Sequence, residues 1–141
     1  MADVIFNSFK RDIMNGAIDL DTDTIKVMLV TATYAPNQDS HTKRSDVTNE
    51  ISGTGYSAGG AALANKAVTA DNTDNEGVFD ADDLAWAAAS FTARGAVLYK
   101  SRGGASSADE LICYLDFGAD KTVSSGTFTL QWSAEGIINL N

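Results

Sequence analysis

The chain has 141 residues, 44% of them apolar, and 19 acidic against 10 basic side chains give a formal charge of −9. That length suits one domain able to hide about two thirds of its unfolded surface, and no run reaches the ~18 apolar residues a membrane-spanning helix needs. The acidic balance, with lysines and arginines scattered, argues against nucleic acid or anionic lipid as partner, because phosphate binding depends on basic side chains displacing counterions.

In chain order, residues 3–15 are predicted to form a helix. Ile5, Phe9 and Ile13 repeat at helical spacing, Phe6 and Met14 flank the stripe, Asp3 suits an N-cap and Gly16 the position after the C-cap. The opening residues carry no basic stretch ahead of an apolar core, so no secretory signal is expected and folding in the cytoplasm is. After the polar run 19–24, Ile25–Val30 reads as a strand apolar on nearly both faces, hence central in its sheet.

From Thr31 to Gly60 the periodicity lapses. This stretch holds the sole proline, Pro36, the sole histidine, His41, and the glycine-rich run 53–60. A loop of that length inside a domain is usually functional or becomes ordered on a partner, so the contact residues are expected here: Tyr34, Pro36, Val47 and Tyr56.

Strand patterns return at 63–68 and 77–79, separated by a turn at 71–75. The alanine-rich run 82–89 favours helix by composition but lies among strands, and it reads as strand with irregularity around Trp86. Strands follow at 95–99, 111–117, 127–133 and 137–140. In the third of these Phe128, Leu130 and Trp132 face inward, while Thr127, Thr129, Gln131 and Ser133 face water. The single cysteine, Cys113, sits within an apolar strand and reads as a buried, inert thiol in a reducing compartment. The pattern predicts a mostly β, single-domain protein over 1–141, an antiparallel β-sandwich of jelly-roll type with one N-terminal helix.

No chemical motif survives scrutiny. Asp19, Asp21 and Asp23 imitate the start of a calcium loop, but Thr24 and Val30 stand where the glycine and glutamate are required. Gly53, Gly55 and Ala58 match a loose dinucleotide fingerprint that leads into strand, not helix. His41 has no evident nucleophile or orienting acid near it, and one histidine plus one cysteine cannot make a structural zinc site. The one enzymatic class left open is a carboxylate pair. Tyr34, Tyr56, Trp86, Tyr99, Tyr114 and Trp132 would supply a carbohydrate-stacking platform if exposed, although Trp132 belongs with the inward set. No catalytic, cofactor-binding or metal-binding residue is assigned, and no cofactor is expected.

Four phrases carry a resemblance: residues 17–27, residues 46–56 with Gly59 and Gly60, residues 93–100, and the closing run 128–132. Together they resemble small structural proteins of tailed bacteriophages, and most of all the capsid cement proteins of short-tailed phages. The resemblance implies a jelly-roll-like domain, made in the host cytoplasm, that sits on the capsid exterior of the virion. There, by the same resemblance, it would bridge major capsid protein subunits as a homodimer. The alternative, from a different functional class, is a phage head-spike or tail adaptor, a receptor- or glycan-binding module.

Overall fold

The computed structural model describes residues 2–141. It is mostly β, with two antiparallel sheets and one helix near the N-terminus, which is the sandwich class the alternation predicts. The strands are β1 (Val4–Ile5), β2 (Ile25–Val30), β3 (Ala61–Ala62), β4 (Ala67–Asp71), β5 (Glu76–Asp80), β6 (Leu84–Lys100), β7 (Leu111–Leu130) and β8 (Ile138–Leu140), and helix α1 spans Asn7–Met14. The large sheet runs β1-β7-β6-β2-β3 and the small one β4-β5-β8.

The helix is shorter than its periodicity predicts. Val4 and Ile5 pair with Tyr114 and Cys113 of β7, and Asp3 N–H donates to the Tyr114 carbonyl at 2.9 Å. The exposed edge of β7 thus offers the first residues better backbone partners than another helical turn would. Asp3 does not cap α1 either, because its carboxylate accepts the Asp116 N–H at 2.6 Å. Phe6 takes the cap position, and Gly16 follows the helix with a φ of 78°, as its type predicts.

The large sheet is buried on both faces, which explains the doubly apolar β2. Ile25, Val27 and Leu29 join Ala96, Leu98 and Leu115 in the main core, together with Phe79 and Ile138 of the small sheet. Met28 and Val30 point the other way, with Val97, Tyr99, Leu111 and Tyr114, into a second cluster. That second face is roofed by Phe6 and by Tyr34 and Val47 of the long irregular segment. The lapse in periodicity between residues 31 and 60 is therefore the signature of a cover packed on a sheet.

Strands β6 and β7 form one long antiparallel ribbon from Tyr99↔Leu111 to Leu84↔Leu130, and its register slips several times. Each slip has a consequence for packing. Near Leu98 and Tyr99 the extra residue is Ile112, so Ile112 and Cys113 both reach the main core. Between Trp86 and Ala89 the chain bulges through Ala88 at φ 49°, which is the irregularity expected around Trp86. Beyond Gly95 only β6 and β7 continue, bringing Phe91, Trp86 and Leu130 onto the main core.

Trp132 lies just past β7 and is buried, with its Nε1–H donating to the Asp82 carbonyl at 2.9 Å. Leu130 is also buried, Phe128 is half-buried, and Thr127, Thr129 and Gln131 are exposed. The inward set and the outward Thr127, Thr129 and Gln131 stand as the alternation predicts, whereas Ser133, also expected in water, is half-buried, and the strand ends at Leu130 rather than at 133.

Candidate functional site

Two polar clusters hold the molecule together before any surface is considered. At the β6–β7 turn, Asp109 and Glu110 are 1% and 3% exposed, so their charges need close partners. Arg44 Nε donates to Asp109 Oδ2 at 2.8 Å, and Arg102 N–H donates to Asp109 Oδ1 at 2.8 Å. Arg102 also grips Glu110 with two bonds, Nε to Oε1 at 2.6 Å and Nη2 to Oε2 at 2.7 Å. This forked hydrogen bonding holds the Glu110 carboxyl below its ordinary value of 4.5. Arg44 further lies 5.1 Å from the centre of the Tyr99 ring. Because Arg44 comes from the 31–60 segment, the cluster rivets that cover to the sheet.

The second cluster centres on Tyr56. Its hydroxyl donates to Glu50 Oε2 at 2.6 Å and accepts the Leu29 N–H at 3.0 Å, while Gly59 N–H donates to the same Glu50 oxygen at 2.7 Å. Tyr99 hydroxyl donates to the Gly59 carbonyl at 2.6 Å. Burial pushes the Tyr99 hydroxyl up to about 12, and burial also raises Tyr56, with the Glu50 hydrogen bond adding to the shift. Tyr56 closes the edge of β2 at Leu29, Tyr99 ties the glycine-rich run to β6, and both carry the neutral form that their environment favours.

The residues expected to touch a partner are mostly spent on such packing. Tyr34 is 4% exposed, edge-on to the Tyr114 ring, with its hydroxyl 2.9 Å from His41 Nδ1. It is a core residue and cannot present a ring to another molecule. Tyr56 is half-buried, with its ring against Trp86 and Phe91. Val47 packs on the second core cluster, and Pro36 is half-buried. Trp86, Tyr99, Tyr114 and Trp132 are buried too, so the aromatic platform considered for carbohydrate is not assembled on the surface. Cys113 is fully buried, and loss of solvent pushes its thiol up to about 12.

The acidic motifs also have local work. Asp19 Oδ1 accepts the N–H groups of Asp21 and Thr22, and a hydrogen bond from the Thr22 side chain, followed by these backbone bonds, holds its carboxyl below the usual range. Asp23 Oδ2 accepts from Asp19 N–H and pairs with Lys100 Nζ at 2.9 Å. A different trio, Asp71, Asp74 and Glu76 at the β4–β5 turn, brings carboxylate oxygens within 4.8 Å of one another and could face a cation. Within it Asp71 Oδ1 accepts from Thr73 and Asp74, shaping the turn, and Glu76 Oε1 accepts from Asn139 at 2.6 Å.

An apolar surface also remains open to another molecule. Opposed residues of an antiparallel pair share a face, so Val68, Phe79 and Ile138 of the small sheet align, as do Ala70, Gly77 and Leu140. Phe79 and Ile138 reach the main core, but Val68 and Leu140 are 52% and 58% exposed. They overhang a groove of about 570 Å³ whose opposite wall is Phe9 and Ile13 of α1 with Ile18 and Leu20. Asp19 and Asp21 stand on that wall. Met14, which ends the same helix, is 82% exposed. Val68 and Leu140 stand on the two outer strands, on the same face with β5 between them, and uncovered apolar side chains lining one groove mark an interaction surface more often than scattered ones do. This strip leaves only a faint trace in the local pattern, because Val68 and Leu140 read as ordinary strand residues until the register is known.

The fold and this surface define a two-sheet β protein with an exposed apolar groove. No protein-family model, no curated protein and no solved structure matches the chain.

Proposed function

We propose that the protein is a structural virion component, a capsid cement or decoration protein that binds the outside of an assembled phage shell and bridges major capsid protein subunits. The single observation that carries the reading as a binding protein is the uncovered apolar strip of the small sheet, Val68 and Leu140 above the groove walled by α1. The phrases at 17–27, 46–56, 93–100 and 128–132 supply the virion context by resemblance.

The physical mechanism is mass action. A protein that binds only the assembled lattice stabilises that lattice by its binding free energy, and many copies multiply a modest contribution. A body packed through two core clusters suits the task, since few segments need ordering when it docks. The acidic surface keeps free copies from associating at random before assembly. A homodimer would double the number of lattice subunits each unit can tie together.

The test uses particles produced without this protein. They are expected to assemble with unchanged geometry but to leak their genome at lower temperature than complete particles, and added purified protein is expected to restore resistance. A depleted particle that withstands heating as well as the complete one, yet no longer adsorbs to cells, would replace this reading with a receptor-binding or tail-adaptor role.

A further inference from the structure

The small sheet has two edges of unequal character. β8 is only three residues long, whereas β4 pairs with β5 in unbroken register from Ala67↔Asp80 to Asp71↔Glu76 and, among the described residues, is unpaired on its other side. Edges of this kind are normally blunted by lysine, proline or a bulge within the strand. Ala67, Val68, Thr69 and Ala70 have none of these, and all four are exposed. The other partly open strand, β7, meets β1 only at Cys113 and Tyr114, but its remaining length is interrupted by register shifts and carries Lys121. β4 is therefore the regular open edge, and its Val68 side is the rim of the groove.

A strand added beside β4 would place every second side chain over that groove and the alternate ones in water. The charges around it select the partner. Asp71, Asp74 and Glu76 crowd one end of β4, and Asp19 and Asp21 stand on the facing wall, against Lys66 alone preceding the strand. A second copy of this chain would bring the same carboxylates and another nine net negative charges. We propose that β4 and the groove receive an extended segment of a different protein, apolar at alternate residues and flanked by lysine or arginine, which adds to the small sheet as a fourth strand. This deepens the binding role proposed above and rests on it.

The test is a titration of the isotopically labelled full chain with one probe, an acetylated and amidated nonapeptide alternating valine and threonine between terminal lysines. Saturable shifts are expected in the amides of Ala67–Asp71 and the methyl groups of Val68 and Leu140. The analogue with terminal glutamates is expected to bind at least ~10-fold more weakly at low salt, with the gap narrowing as salt screens the charges. Val68→Asp and Leu140→Asp, both at exposed positions, are each expected to remove the shifts while leaving the rest of the spectrum folded.

Four results would overturn the proposal. These are no saturable change at β4 up to millimolar peptide, shifts centred on β7 instead, equal binding of the glutamate analogue, or a free protein that sediments as a dimer with its β4 amides already protected from exchange. Failure here with shell protection intact removes the groove alone. Peptide binding without shell protection keeps the groove and sinks the capsid role.

Discussion

Gly60 shows how much can rest on one hydrogen atom. It sits at φ 77°, and a methyl group in its place would come within 1.7 Å of the Val27 carbonyl oxygen. Both the left-handed backbone and the contact demand glycine, since the obstacle is main chain of β2 and cannot rotate away. Gly60→Ala is expected to cost about 3 to 5 kcal/mol, at the severe end of single substitutions. Gly103, also left-handed at φ 80° but with open space around it, is the control. Its alanine variant keeps the backbone strain without the clash, so it should cost only about 1 to 2 kcal/mol. Equal losses in denaturant melts would mean that the close approach to Val27 contributes nothing.

Among the elements, the segment from 127 to 133 was the most legible, and the cover from 31 to 60 the least. Strict alternation over Phe128, Leu130 and Trp132 declares one buried face, and Trp132 is indeed enclosed with its indole N–H satisfied. Trp132→Ala is therefore expected to cost about 3 to 5 kcal/mol, and Thr129→Ala on the wet face within about 0.5 kcal/mol. A melt that ranks Thr129 above Trp132 would invert the face assignment. The cover defeats pattern reading because its order comes from single side chains anchored far away in sequence. Arg44 reaches Asp109, and Tyr56 reaches Leu29. Such anchors leave no period behind them, so Tyr34 looked like an exposed contact when it is core. The helix was over-extended for a related reason, because the competing edge of β7 lies more than a hundred residues away.

For the whole molecule, the buried ion cluster ties stability to pH. Glu110 has its folded value depressed by Arg102, so its contribution is fully present above its ordinary value of 4.5 and is lost as pH falls through the lowered folded value. Asp46 behaves the same way, held low by the N–H groups of Thr42 and Lys43. Urea midpoints followed from about pH 7 to pH 2 should fall on the acid side, and Glu110→Gln should start lower and converge on the parent protein as the carboxylate protonates. A constant gap across that range would show that the Arg102 fork does not supply the linkage.

By itself the sequence determined the class of the fold, the inward face of the last long strand and the inert cysteine. It did so because alternation and composition are local consequences of which side of a strand meets water. The tertiary structure alone decided that the long loop roofs a sheet and that β4 is an open edge. It also decided that Val68 and Leu140 stand together over a groove beside acidic groups. Those facts depend on register and on contacts between residues distant in sequence, which no local pattern encodes.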